Sequence, residues 1–223
     1  MSDNDSGQAV RRGRPARLSR ERIVEAALAL VTEEGSEALS MRKVADALGS
    51  APMSIYRHVR DKDELLLLVL DRIVAGLPRP ELPEDPRERL LALLRWEHDE
   101  LAVRPWIVDV LRRGDLMAPS VLWLLEEIYA AWHACGLSLE RAATANRIVW
   151  GFLLGDLAQR RGTRPGDRPG DRDRAPYQVS VPAGADPGAY PTVAALAPYW
   201  SAPDRHDHFA ADLALLVDAL LGT

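Results

Sequence analysis

Two short helical signals joined by a glycine, within residues 40–62, constrain this chain more than any other stretch. Met41, Val44, Ala45 and Leu48 fall at i, i+3, i+4 and i+7, the spacing of one apolar helical face. Gly49 stands where that helix must stop and can take positive φ without a Cβ clash. A further helix is expected over residues 52–58, with Ile55 and Val59 as its inward face. Ser54, Tyr56, Arg57 and His58 are left outward. A short helix with a small apolar anchor and a polar, aromatic and basic outer face suits a DNA major groove. The plain alternative is a helical hairpin with no ligand.

A chain of 223 residues can bury a large core, as one domain or as a small head on a larger body. It contains no apolar run near 20 residues, so no membrane span is expected. The N-terminus is polar and Arg-rich, with no hydrophobic stretch behind it, which is not the pattern of a secretory signal. Cys135 is the single cysteine, so no disulfide can form within the chain. The expected setting is the reducing cytoplasm, with Cys135 a small buried hydrophobe. The net charge of −5 is unevenly spread. Residues 10–62 hold eleven Lys or Arg against seven Asp or Glu, and residues 63–223 carry −7. A basic head on an acidic body orients the molecule toward DNA.

The expected fold class is all-α, since no period-2 alternation is long enough for a sheet. Residues 1–18 read as a disordered arm in which Arg12 and Arg14 flank Gly13 and precede Pro15. An extended Arg pair of this kind suits a narrow minor groove, or else simply adds solvated positive charge. Ser19 and Ser40 are helix caps, and Asp61 with Glu64 forms a capping-box-like start to a helix ending near Gly76. The DNA-binding part is therefore expected over 19–77 and the body over 78–223. In the body, helices are expected from Asp85-Pro86 to about 104, from Pro105 to Gly114, from Pro119 to Cys135, and from Ser138 to about 159. Residues 160–190 repeat Arg-Pro-Gly-Asp and read as a flexible loop, with a brief strand at Tyr177–Val181. A short helix is expected at 191–199 and a last one from Asp204 to Leu221.

Residues 19–77 resemble the TetR family of one-component bacterial repressors. The resemblance rests on Ile23-Val24-Glu25-Ala26-Ala27, Glu34-Gly35, Arg42-Lys43-Val44-Ala45 and Leu48-Gly49. It continues through Ile55-Tyr56-Arg57-His58-Val59, Lys62 and the Leu65–Leu68 run. It implies a three-helix DNA head leading into a connecting helix, and double-stranded operator DNA as partner. By that resemblance Ser40 and Arg42 stand beside the backbone and groove edge, with Arg42 pairing a guanine or a phosphate. Pro52, Met53 and Ser54 face base edges, while Tyr56, His58 and Lys62 grip phosphate or sugar. Arg57 stands where the tetracycline repressor has an aromatic residue, so base preference should differ. Phosphate contacts set register and groove-edge contacts specify sequence.

The body resembles the branch containing the tetracycline repressor, through its helix layout, Gly136-Leu137-Ser138 and Phe152-Leu153-Leu154-Gly155. That implies a homodimer with a small-molecule effector. The tetracycline–magnesium site does not carry over: Arg112-Arg113-Gly114 and Ala158-Gln159 stand near its ligand positions. No metal and no cofactor is expected. His98, Asn146 and Asp156 are polar groups on apolar helical faces, and leaving such a group buried and unpaired costs roughly 1–3 kcal/mol. They are either satisfied core groups or effector contacts. Trp106, Trp123, Trp132 and Trp150 either line the same pocket or fill the core. Gly151 and Gly155 lie one turn apart, and Phe209, Leu213, Leu216 and Leu220 form a stripe on the last helix. Together they are the expected dimer interface.

The function expected is a ligand-responsive transcriptional regulator, a repressor released from its operator by its effector. A helical interaction module is the alternative. An enzyme is disfavoured: Glu97-His98-Asp99-Glu100 and His206-Asp207-His208 are the best fragments, and His206 and His208 point about 200° apart on a helix. No hydrolase, zinc-protease or phosphate-loop motif appears, and no catalytic residue is assigned.

Overall fold

The computed structural model describes residues 18–114, 116–162, 177–200 and 208–222. Among these the chain is all-α, with no strand, as expected. It divides into two compact units between Val69 and Leu70.

The first unit holds α1 (Arg20–Glu34), α2 (Met41–Ala47), α3 (Pro52–Ile55) and the start of α4 (Lys62–Gly76). Its helix starts are written locally. Ser19 Oγ accepts from Arg22 N at 3.3 Å and Ser40 Oγ accepts from Lys43 N at 3.2 Å, each satisfying an orphan donor of a first turn. Asp61 Oδ1 accepts from Glu64 N at 2.8 Å while Glu64 Oε2 accepts from Arg60 N at 2.7 Å, a reciprocal cap for α4. Gly49 turns the chain from α2 to α3 at φ 60, a conformation costly for any residue with a Cβ. Ile23, Ala27, Val44, Ala45, Ile55 and Leu65 are wholly buried and make one small core.

The second unit takes the rest of α4, then α5 (Pro86–Ala102), α6 (Pro105–Leu111), a 3₁₀ turn (Pro119–Val121), α7 (Leu122–Ala134) and α8 (Leu139–Gly162). Short helices α9 (Tyr177–Ala183), α10 (Pro191–Ala195) and α11 (Ala197–Trp200) follow, and α12 (Phe209–Leu221) ends it. α5 lies at the centre, against α6, α7, α8 and α12. Its start is capped by Asp85 Oδ1, which accepts from Glu88 N at 2.9 Å, with Pro86 in the first turn. Leu90, Leu93 and Leu94 meet Ile128 and Trp132 of α7, Leu153 of α8 and Val217 of α12 in a fully buried core. Arg87 clamps Asp218 with two hydrogen bonds, Nε to Oδ1 at 2.7 Å and Nη2 to Oδ2 at 2.9 Å, tying the first turn of α5 to the end of α12.

Four local expectations change. α3 is a single turn, and Tyr56–His58 form a tight turn in which His58 N donates to Ile55 O at 2.9 Å. Tyr177–Val181 is helical rather than extended, despite two β-branched valines and Pro182. The expected helix at 191–199 is two short ones broken at Leu196. The last helix begins at Phe209, because His208 is not yet helical, so the expected start at Asp204 is too early. The arm with Arg12 and Arg14, the Arg-Pro-Gly-Asp repeats and the His206-Asp207 pair lie outside the described residues.

Candidate DNA interface and effector cavity

The first unit presents one face without apolar anchors. Ile55 and Val59 are buried, and between them Tyr56 and Arg57 project outward, with Pro52 and Met53 exposed one turn earlier. Met53 is 74% exposed, which a core-forming methionine would not be. Ser54, His58 and Lys62 are half-buried beside this face. Arg42 on α2 has an 85% exposed side chain, and Asp46 approaches it only to 3.9 Å. An ion pair this exposed and this long contributes little, so the guanidinium remains available. Ser40 is committed as the cap of α2, with its O–H still able to donate. Tyr56, Arg57 and Arg42 are thus exposed polar groups of the first unit.

Sequence reasoning gave Glu64 a capping role and passed over its pairing with Arg20 and Arg60. The Glu64 carboxylate accepts from Arg60 N, from Arg60 Nε at 3.1 Å and from the guanidinium of Arg20. The backbone hydrogen bond from Arg60, with both arginines beside it, holds the Glu64 carboxyl below the usual carboxylate range. It ties the turn after α3 to α1 and to the start of α4. The signal in the sequence is Arg20, Arg60 and Glu64 together, and the pairing of the first with the last spans 44 positions.

The second unit encloses a cavity of about 360 Å³. Its wall includes Leu70, Ile73, Val74 and Leu77, on the latter half of α4 and just past its end. α5 contributes Leu94, Glu97, Glu100 and Leu101, spaced so that they share one helical face, and Arg104 follows from the link to α6. Trp96, Tyr129 and Trp150 supply aromatic surface, and Asn146 and Arg147 come from α8. Beside the cavity, Asp71 Oδ1 accepts from Ser120 N at 2.7 Å, fastening α4 to the 3₁₀ turn whose Val121 also lines it.

Two of the seven candidate effector residues, Asn146 and Trp150, line this cavity. The other five do not. His98 is buried outside the cavity lining, on the neighbouring side of α5, where Nε2 lies 2.9 Å from Asp156 Oδ2 and Nδ1 lies 3.1 Å from Asp99 Oδ1. Its ring stacks on Phe209 at 3.7 Å between centroids. Asp156 is shared between His98 and Arg160, whose Nε donates to it at 2.6 Å. Both are therefore satisfied core groups that bind α5, α8 and α12 together. Trp132 is wholly buried and Trp106 nearly so, both as filling. Trp123 stacks edge-on with Trp96 at 5.4 Å and carries the Arg79 guanidinium over its face.

Glu97 lines the cavity and was not foreseen. Burial pushes its carboxyl up to about 7, and it has no hydrogen bond or ion pair among the described residues. Its signal was the spacing Leu94, Glu97, Leu101, which puts a carboxyl on an apolar side of α5. No group of three His, Cys, Asp or Glu that could hold a metal exists among the described residues, and none of their helices is long and apolar enough to cross a membrane.

The expected dimer stripe divides in two. Phe209 and Leu213 are 7% and 0% exposed within one subunit, so they have no surface left for a second copy. They face α5 and α8 with Val217, at fourfold spacing. The outer face of α12 instead carries Leu215, which is 71% exposed, with Leu216 and Leu220 half-buried at its edge. On α8, Ile148 and Gly151 are exposed, and Gly155 follows one turn later, half-buried. A Cβ at either glycine would meet nothing within 4 Å, so no contact inside the subunit requires them to be small.

Comparison with known proteins places this geometry. The family of bacterial regulatory proteins of the tetR type matches residues 23–69, and the tetracyclin repressor-like C-terminal domain matches residues 79–222. The HTH-type transcriptional repressor DrrR1 of Streptomyces coeruleorubidus is 32% identical over 226 residues, covering 97% of this chain and 82% of the relative. The Streptomyces coelicolor TetR family protein ActR, solved in complex with actinorhodin, superposes with a TM-score of 0.78 at 24% identity, over 93% of this chain and 98% of that one. BioQ, solved with its double-stranded DNA operator, gives 0.63 at 21% identity, over 93% and 100%. With both of its parts matched in order and a relative aligned along nearly its whole length, this chain belongs to the TetR family of transcriptional regulators.

Proposed function

We propose that this regulator is a homodimeric repressor that leaves its operator when a small molecule enters the body cavity. The observation that carries the reading is the division of labour along α4. Its Leu65, Leu66 and Val69 are buried in the first unit, while Leu70, Ile73 and Val74 are wall of the cavity in the second. A ligand that alters the packing of the wall touches the same helix, α4, whose start belongs to the head. The Asp71–Ser120 hydrogen bond gives α4 a polar attachment beside the cavity. Such a device shifts DNA affinity only if the ligand binds the two states of the helix unequally.

On the DNA side, Arg42, Met53, Tyr56 and Arg57 are the groups offered to the groove and its phosphates, with Ser40, Pro52, Ser54, His58 and Lys62 flanking them. On the dimer side, Leu215 with Leu216 and Leu220 of α12 and Gly151 with Gly155 of α8 form the face for a second copy. Two linked heads gain affinity for two half-sites that one head lacks. A relative that is an HTH-type transcriptional repressor, a TetR family protein solved with a ligand and a structurally similar protein solved with its operator DNA support this reading. It assigns no catalytic residue.

The test is a shift assay with the chain's own upstream region as duplex, repeated with compounds selected because they raise its melting temperature. Specific binding that such a compound reverses is the expected result. Binding to no upstream duplex, or binding that no stabilising compound weakens, would contradict the reading.

A further inference from the structure

The charged groups lining the cavity are not equivalent. Arg104 Nη1 holds Glu100 Oε2 at 2.5 Å, so those two charges cancel, and Arg147 is exposed to solvent. Glu97, half-buried, alone faces the cavity with no partner among the described residues to balance its charge. A lone carboxylate in an apolar wall is costly to ionise, and an incoming cation removes that cost. Around it Trp96, Tyr129 and Trp150 offer π faces, which attract a cation and stack on an aromatic body. The remaining wall, with Ile73, Leu77 and Leu94, takes apolar surface.

We propose that the effector is an aromatic, largely apolar molecule bearing a protonated amine, and that Glu97 receives the amine. This rests on the reading that the cavity is the effector site, and it adds the chemical class of the ligand. An anionic ligand is disfavoured, because it would meet the Glu97 carboxylate while Arg104 is already paired with Glu100 and Arg147 is exposed to solvent. That burial alone holds the Glu97 carboxyl at about 7 agrees with the absence of any protein group stabilising its charge. An ammonium ion beside it supplies that stabilisation and keeps it ionised.

Three probes that share one ring system separate the possibilities: 9-(aminomethyl)anthracene, 9-anthracenemethanol and 9-anthracenecarboxylate. Their dissociation constants for the full chain are measured by quenching of its tryptophan fluorescence. The amine is expected to bind roughly ten- to a hundredfold more tightly than the alcohol, the range for one charge-assisted hydrogen bond, with the carboxylate weakest. Glu97→Gln should bring the amine down to the alcohol's affinity and leave the alcohol unchanged, while Glu97→Asp, which keeps the charge, should retain a preference. Equal binding of amine and alcohol by the wild type overturns the proposal and leaves the cavity as the effector site. A preference that survives in Glu97→Gln also overturns it. Failure of all three probes to bind overturns the proposal and counts against the cavity reading as well.

Discussion

Replacing His98 by alanine distinguishes a core junction from an effector contact, and the structure sets the size of the effect. The side chain is 4% exposed and stacks on Phe209 with ring planes 17° apart. Losing the stack removes about 0.5–1.5 kcal/mol beyond buried area. Emptying the site adds a cavity cost, which for a buried Phe→Ala is about 3–5 kcal/mol and for the smaller imidazole about 2. The polar loss is limited, because Asp156 keeps Arg160 at 2.6 Å and Asp99 is exposed to water. His98→Ala should therefore cost about 3 kcal/mol in all. Urea unfolding at one fixed protein concentration reads it, since the proposed dimerisation would make stability concentration-dependent. Effector affinity at a temperature well below unfolding should stay within error. A stability loss under about 0.5 kcal/mol, the size of an ordinary surface change, would refute the reasoning.

Arg42→Ala should weaken specific operator binding by about 1–3 kcal/mol if the guanidinium reads a guanine, and should weaken all duplexes alike, with a shallower salt slope, if it touches phosphate; titrations of specific and random duplexes at two salt concentrations decide. Leu215→Glu combined with Gly151→Leu should give a folded monomer by sedimentation, since the first puts a carboxylate and the second a bulky side chain on the outer face of α12 and α8. A folded dimer would place the interface elsewhere. Without ligand, Glu97 should make stability fall with pH. The folded state holds its proton more tightly, from an ordinary 4.5 up to about 7, so its contribution is whole below 4.5 and is lost as pH rises through about 7. Glu97→Gln should therefore gain up to about 3 kcal/mol on the wild type between those limits in denaturant titrations, and a difference that does not change with pH would contradict the burial of this carboxyl.

What could be read in the sequence was what local chemistry decides. Ser19, Ser40, Asp61, Asp85 and Ser138 each cap a helix because a short polar side chain reaches the donor three positions on, and no distant residue is needed. The inside and outside of the turn around α3 were legible for the same reason: Ile55 and Val59 claim the inside, and Met53, Tyr56 and Arg57 are what remains. Which face of a central helix meets what is decided by its neighbours. α5 is covered on several sides, so His98 and Glu97, adjacent in sequence, enter different worlds, one against Asp156 and Phe209 and the other against a cavity. The same holds for α12, where Phe209 and Leu213 looked like a free stripe until α5 and α8 covered it. At Tyr177–Val181 the intrinsic preference of valine for strands was overridden, which a weak propensity permits.

The central claim is that cavity and DNA face share one equilibrium, and linkage tests it directly. A compound selected by thermal stabilisation is titrated into the protein alone and into the protein saturated with operator duplex, and the duplex is titrated with and without saturating compound. If the account holds, operator DNA weakens the compound's affinity by the same factor by which the compound weakens DNA binding, within the usual range of about 5- to 150-fold. A compound that binds equally well to free and operator-bound protein, and leaves duplex affinity unchanged, would contradict it.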